Sequence, residues 1–298
     1  MTYSVVKRGS ENTADYRLFF KNGNGEIISP WHDIPLRVPG KNNTFNAVVE
    51  IPRFTNHKME ISTKDPGNPI KQDTKNGILR FVKNHLPYHG YLWNYGALPQ
   101  TWENPTHVDS RTNAKGDNDP LDICEIGQRI ASRGEVLQVK ILGAFALIDE
   151  GETDWKIICV NTADPMAARL DDLEDVEKYM PGIVEATRDW FATYKVNDGK
   201  PVNQFAFGCK PLHREFALSV IDEAHAFYKK LISDRSNKVL SYGLNSRDYR
   251  SAFEQTPPSG SPAALPEDGK SLFPIYFYKL ISIYLVDKIW FGHLRPPH

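Results

Sequence analysis

The stretch that most limits what this chain can fold into runs from Glu135 to Ile148. It is one long apolar, β-branched segment. It turns at Asp149-Glu150-Gly151-Glu152-Thr153 and returns from Asp154 to Val160, which predicts a β-hairpin. Its tip carries four acids, with Asp149 ending one strand and Asp154 beginning the next, so that the two are expected to face each other. Shorter strand signals precede it. Residues 15–20 read as a strand, Asn22-Gly23-Asn24-Gly25 as a turn and Ile27-Ile28 as its return. Residues 45–51, 57–61, 78–82 and 121–126 read as further strands. Residues 30–44 and 62–76 read as connections, and the aromatic stretch 84–106 as a long ordered loop, a kind that is usually functional. The first 160 residues therefore predict a small closed or partly closed barrel rather than a parallel sheet.

Helices follow. Asp171 to Tyr179 ends before Pro181-Gly182. Ile183, Val184, Thr187, Trp190, Phe191 and Tyr194 share one helical face, and Phe216 to Leu231 repeats the pattern. The class is α+β. No internal repeat is apparent. Residues 1–235 read as a single catalytic domain and 236–298 as a C-terminal extension. The extension holds a flexible Pro/Ser/Gly-rich linker (255–269) and an apolar run (272–286) that Pro274 and Lys279 interrupt, too short for a membrane span.

Composition excludes some functions. With 40% hydrophobic and 24% charged residues and a formal net charge of -1, the chain reads as globular and not as built mainly to hold nucleic acid. Cys124, Cys159 and Cys209 form no CxxC pair, and the start shows no signal-peptide core, so a cytoplasmic location is expected.

Asp117-Asn118-Asp119-Pro120-Leu121-Asp122 places three carboxylates within six residues. Carboxylates this close repel unless a cation sits among them, and oxygen ligands suit Mg²⁺ or Mn²⁺. A calcium EF-hand starting at Asp117 would need Gly and Glu where Asp122 and Gln128 stand. The plainer alternative is a solvated acidic turn. At the hairpin tip Asp149, Asp154 and Lys156 bring acids and a lysine together, as a metal-phosphate site requires; the alternative is a charged surface tip. Glu50, Lys58 and Glu60 repeat the theme on two adjacent strands. Arg80 stands in an apolar strand, suited either to grip phosphate or to pair with a carboxylate. Tyr194-Lys195 ends a helix, where the dipole alone favours a lysine. The histidines show no zinc spacing.

These segments resemble the soluble family I inorganic pyrophosphatases of the larger eukaryotic kind. The likeness rests on Asp117 to Ile123, Val49-Glu50-Ile51-Pro52-Arg53, Asn84 to Tyr95, Gln100-Thr101-Trp102-Glu103, Asp149 to Lys156 and Asp175 to Tyr179, in consistent order to about residue 230. The resemblance implies a five-stranded OB-like β-barrel with flanking helices, and Mg²⁺-dependent hydrolysis of pyrophosphate to two phosphates. Several Mg²⁺ ions per site are implied, with Mn²⁺ as a substitute. Asp117, Asp122 and Asp154 would hold the first metal, with Asp122 shared by a second. Asp149, Asp154 and Glu60 would serve the metals that arrive with substrate. Asp119 would accept a proton from the attacking water. Lys58, Arg80, Tyr95, Lys156, Tyr194 and Lys195 would hold phosphate oxygens, and Glu50 would support the shell.

The resemblance also implies a homodimer, with no nucleic-acid or membrane partner. Phe54 stands where relatives often carry tryptophan in the dimer contact, and the apolar run before Asp287-Lys288-Ile289-Trp290-Phe291 looks like an insertion. Three other readings compete. A non-catalytic OB-like nucleic-acid module is disfavoured by the acid excess. A nucleotide or polyphosphate hydrolase would differ in substrate. A non-catalytic partner subunit would not need the intact acid set.

Overall fold

The computed structural model describes residues 2–233 and 246–265. Two antiparallel strands open the fold: β1 (Ser4–Arg8), which periodicity did not reveal, and β2 (Arg17–Lys21). Next come β3 (Phe45–Ile51), buried at every position, β4 (Met59–Ile61) and β5 (Ile70–Gln72). Strand β5 lies inside 62–76, expected to be loop; three residues are too few to show an alternation. β4 pairs antiparallel with β5, and Leu18 of β2 pairs with Ile70 of β5, so β1, β2, β5 and β4 form a small sheet to which Ile27–Ile28 adds a fifth strand beside β2.

The larger sheet contains β6 (Asn94–Ala97), β7 (Asp122–Glu125), β8 (Val136–Asp149) and β9 (Glu152–Asn161), together with β3. β3 pairs with β6, β6 with β7 and β8 with β9, all antiparallel; β7 pairs with β9 in parallel; and β8 pairs with β3. Each of these five strands thus has two neighbours within the set. A register shift between Ile141 and Gly143 lets the long strand β8 bend. Strand β6 corrects the reading of 84–106 as loop throughout. Its sequence Asn-Tyr-Gly-Ala hides the strand because Gly96 is dictated by space: a Cβ there would lie 1.9 Å from the Val48 carbonyl oxygen of β3.

The helices lie close to where the periodicity places them: α1 (Leu173–Tyr179), α2 (Ile183–Thr193) and α3 (Arg214–Ser233). The Asp172 carboxylate accepts from the Leu173 N–H and caps α1. Val184, Thr187, Trp190 and Phe191 of α2 are buried, as are Ala217, Val220, Ile221, Ala224, Tyr228 and Leu231 of α3. Two apolar clusters result. One joins Val48, Ile51, Tyr95 and Ile158 to Trp190 and Phe191, while the other joins Val49, Ile123 and Ile157 to Ala217, Val220 and Ile221. Neighbouring residues of β3 and of β9 thus serve opposite faces, as strand geometry requires.

A fourth helix, α4 (Ser246–Gln255), was not expected. Its Phe253 ring stands edge-on to Phe19 at 5.4 Å, and the Arg8 guanidinium lies over it at 4.5 Å. Arg8 Nε donates to the Phe253 carbonyl, as does a second Arg8 nitrogen to that of Glu254, both at 3.1 Å. Beyond α4 the chain is pinned, not loose: Gly9 N donates to the Pro257 carbonyl at 2.7 Å, Ser259 Oγ to that of Lys7 at 2.7 Å, and Ala263 N to that of Glu11 at 2.9 Å. The linker expected over 255–269 therefore lies along residues 7–11 over much of its described part. The apolar run 272–286 and residues 287–291 fall outside the described residues. Among the described residues no helix is long and apolar enough to cross a membrane.

Candidate active site

The hairpin fixes half of the site. Asp149 opposes Glu152 and Asp154 opposes Leu147, so the two aspartates do not face each other as expected. The period of two nonetheless puts Asp149, Asp154 and Lys156 on one face of the β8–β9 pair. The parallel pairing of Asp122 with Lys156 then brings β7 alongside. Lys156, 2% exposed, donates to Asp122 Oδ2, to Asp154 Oδ1 and, at 2.9 Å, to the Tyr95 hydroxyl; Tyr95 itself donates to Asp122. Burial works against the Lys156 ammonium, but Asp122 and Asp154 outweigh it and hold its pKa well above the ordinary lysine value.

The acidic turn before β7 is held from behind. Asn118 N donates to the Glu103 carbonyl and Glu103 N to that of Asp119, both at 2.9 Å, and Trp102 Nε1 donates to Asn118 Oδ1 at 3.1 Å. Asn118 takes φ 76, a left-handed value that asparagine tolerates. Asp119 N donates to Asp117 Oδ1 at 3.0 Å, so the turn splays its carboxylates into the cleft. Burial, then the charges of Asp119 and Asp122, push the Asp117 carboxyl up to about 8. Asp119 opens to the water of the cleft; partial desolvation there, then the Glu60 charge, raise it less, to about 7.

The opposite wall comes from β3 and β4. Glu50 is buried and accepts from Ile61 N at 2.6 Å, which ties β3 to β4. Burial and the Asp122 charge push its carboxyl well above the ordinary range. Lys58 lies 3.3 Å from Glu60. Arg80 is not within a strand, since the strand signal over 78–82 yields only the short Ile78–Leu79. Its guanidinium pairs with Asp73, the plainer of the two readings, yet it also lines the cleft. At the mouth, the helix-end pair Tyr194-Lys195 turns inward. Lys195 Nζ reaches both Asp149 oxygens at 2.5 and 2.6 Å, and the Tyr194 hydroxyl donates to Asp149 at 3.1 Å.

Glu50, Lys58, Glu60, Arg80, Tyr95, Asp117, Asp119, Asp122, Asp149, Asp154, Lys156, Tyr194 and Lys195 thus all line one cavity of about 470 Å³. Asp73 and Tyr91 line it too and were not singled out in the sequence. Neither was Glu103, which supplies one acid of a cluster with Asp117 and Asp154 whose ligand oxygens lie within 4.8 Å of one another. Glu103 Oε1 accepts from Trp155 N at 3.0 Å, whereas its Oε2 is buried with no hydrogen-bond partner. Burial, then Asp117 and Asp154, push its carboxyl well up. An orphaned buried oxygen beside two crowded carboxylates is a donor set that a hard divalent cation fits. The Glu103 signal was present in the sequence, as the one acid after Gln100-Thr101-Trp102, but no spacing rule links it to Asp154.

Comparison with known proteins agrees with this geometry. The sequence profile described as Inorganic pyrophosphatase matches residues 47–229. An inorganic pyrophosphatase of Drosophila melanogaster is 50% identical over 270 residues, covering 90% of this chain and 80% of its own length. One of Homo sapiens is 52% identical over 255 residues, covering 86% and 88%. Among solved structures, the inorganic pyrophosphatase of Schistosoma japonicum superposes with a TM-score of 0.84 at 45% identity, over 90% of this chain and 99% of that one.

Proposed function

This chain belongs to the inorganic pyrophosphatase family and hydrolyses pyrophosphate, and from that premise we propose how its residues divide the work. The observation that supports the division is the gathering of acids and cations, distant in sequence, around one cleft. Asp117, Asp122 and Asp154 would hold a first Mg²⁺, with Asp122 shared by a second; Asp149, Asp154 and Glu60 would hold those that come with substrate. Mn²⁺ would serve as a substitute. When bound, such ions neutralise phosphate charge and lower the pKa of water.

The remaining steps belong to the side chains. Asp119, raised to about 7 before any cation enters, accepts a proton from the attacking water. Lys58, Arg80, Tyr95, Lys156, Tyr194 and Lys195 hold phosphate oxygens and stabilise the charge left on the departing phosphate. In the structure Lys156 and Lys195 are each engaged by carboxylates, so substrate oxygens would take over ammonium donors that Asp122, Asp154 and Asp149 now occupy. Glu50 supports the wall through its bond to Ile61 N.

The same proposal extends to the setting of the site. The cyclic pairing of β3, β6, β7, β9 and β8 supports an OB-like five-stranded barrel. Buried free thiols at Cys124 and Cys159 support a cytoplasmic location. Phe54, 46% exposed beside Arg53, supports a homodimer contact. Residues 1–235 would form the catalytic body, with 236–298 as its extension. Phosphate release from pyrophosphate, with and without Mg²⁺, tests the function: metal-dependent turnover is expected, and turnover independent of any divalent ion would overturn the metal assignment. The same assay run with nucleoside triphosphate or polyphosphate separates a broader phosphohydrolase.

A further inference from the structure

The carboxylate cleft adjoins a second cavity of about 320 Å³ of opposite character. Arg80 and Lys195 line both spaces, as do Lys75 and Glu150. Beyond that shared boundary the second cavity adds Lys83 and Lys200, with Asp198 as its other acid. Five cations therefore face two carboxylates there, whereas ten carboxylates face five cations in the cleft. The two chambers are charged against each other, and the phosphate-holding Arg80 and Lys195 stand where they meet.

The added lysines are placed to let go. Lys83 lies 2.9 Å from Asp198 and Lys200 3.2 Å from Glu150, all four with side chains about 40–55% exposed. Pairs this exposed hold only weakly, so their ammonium groups exchange partners readily. Lys75 stands exposed on the short hairpin Thr74–Lys75/Ile78–Leu79 that flanks the opening. Lys83 Nζ also donates to the Asn197 carbonyl at 3.1 Å, and Asn197 Nδ2 to the Asn84 carbonyl at 3.0 Å, which holds the far wall in place.

Pyrophosphate stays anionic even with one divalent ion bound, and a chamber whose own carboxylates outnumber its cations offers it no net attraction at long range. A cleft lined by one sign of charge focuses the field and raises the arrival rate of the opposite sign by about 10–1000-fold. We propose that the second cavity is an anion antechamber: Lys75, Lys83 and Lys200 gather pyrophosphate at the mouth, and it passes between Arg80 and Lys195 into the carboxylate chamber. This rests on the pyrophosphate reading above and adds an entry route to it. Lys83 and Lys200 are positioning residues that act before the chemistry.

Steady-state phosphate release by the full chain, measured across ionic strengths, tests the proposal. The double variant Lys83→Gln, Lys200→Gln is expected to lose about ten-fold in kcat/KM at low ionic strength, to keep kcat within about two-fold, and to show a flatter salt dependence. Asp198→Asn, which removes an acid from the antechamber, is expected to raise kcat/KM at low salt, a gain that misfolding does not mimic. Unchanged kcat/KM and salt slope in both variants would overturn the antechamber, and so would a fall in kcat that matches the fall in kcat/KM. If the unmodified chain releases no phosphate, the functional reading fails instead; if it turns over normally while both variants are silent, only the antechamber fails.

Discussion

The inner wall of the cleft and its rim use the same pair of chemical groups, lysine and carboxylate, in two different ways. On the wall, Lys156 is 2% exposed and engages Asp122, Asp154 and Tyr95 at once. At the rim, Lys195 engages Asp149 and, at 3.5 Å, the exposed Glu150, which Lys200 shares. Burial makes the wall an all-or-none arrangement, because a charge left there without a partner costs far more than one in water. Exposure makes the outer rim pair of Lys200 and Glu150 exchangeable, while Lys195 and Asp149 stay largely enclosed. One region sets where charge sits, and the other governs how charged groups come and go.

Asp119 stands between the two and gives the largest expected effect. Asp119→Asn keeps the size of the side chain and removes its basicity, so phosphate release should fall by about 10²–10⁴-fold while the melting temperature stays near that of the unmodified protein. Near-normal turnover would take Asp119 out of the base role. The next test sets the two lysines against each other. Lys156→Met should cost about 3–5 kcal/mol in urea unfolding of the metal-free protein, because it strands Asp122 and Asp154. Lys195→Met should cost less, because it leaves one partly buried carboxylate, Asp149, which keeps the Tyr194 hydroxyl as a donor. Equal losses would break the contrast.

Part of the site was legible from local pattern, in the crowding of Asp117, Asp119 and Asp122 and in the strand spacing of Asp154 and Lys156, while Lys195 read as a helix-end lysine and joined the site only through the family resemblance. Asp154 and Lys156 are two apart on one strand, and Asp149 pairs with Glu152, two before Asp154, so the three share a face although the register differs by two from the expected one. The helices were legible because Val184, Thr187, Trp190 and Phe191 repeat with the helical period. Strand β6 was not, since its glycine answers to the carbonyl of Val48, some fifty residues earlier, and not to any local pattern. Glu103 was missed for a similar reason: its neighbours Asp117 and Asp154 come from two other parts of the chain. Arg80 was placed in a strand, and its pairing with Asp73 is a contact across the base of a short hairpin whose first arm lay in a stretch that looked like loop.

Protonation separates the regions further. In the metal-free protein burial and neighbouring carboxylates push Asp117 up to about 8 and Asp119 up to about 7, from an ordinary 3.8. Between about pH 4 and pH 8 these two carboxyls bind more protons in the folded chain than in the unfolded one, so the stability they contribute falls as pH rises through that window. Melting of the metal-free protein should come at lower temperature at pH 8.5 than at pH 5.5, and saturating Mg²⁺ should shrink the difference. A melting temperature that climbs steadily to pH 8.5 without metal would contradict the raised carboxyls. The smallest effect belongs to the rim. Glu150→Gln removes two exposed pairs and should change the free energy of unfolding by less than about 1 kcal/mol.

The clasp between the first strand and the segment after α4 has a consequence for how the chain is made. Arg8 is bonded to the carbonyl of Phe253, 245 residues later, and Ser259 to that of Lys7, 252 residues away. On a ribosome the outer side of β1 waits, exposed, until nearly the whole body has emerged. Contacts this far apart in sequence form late and slowly. The segment fastens only the end of β1, and a chain that stops short of Phe253 leaves the Arg8 guanidinium and the Lys7 carbonyl to water.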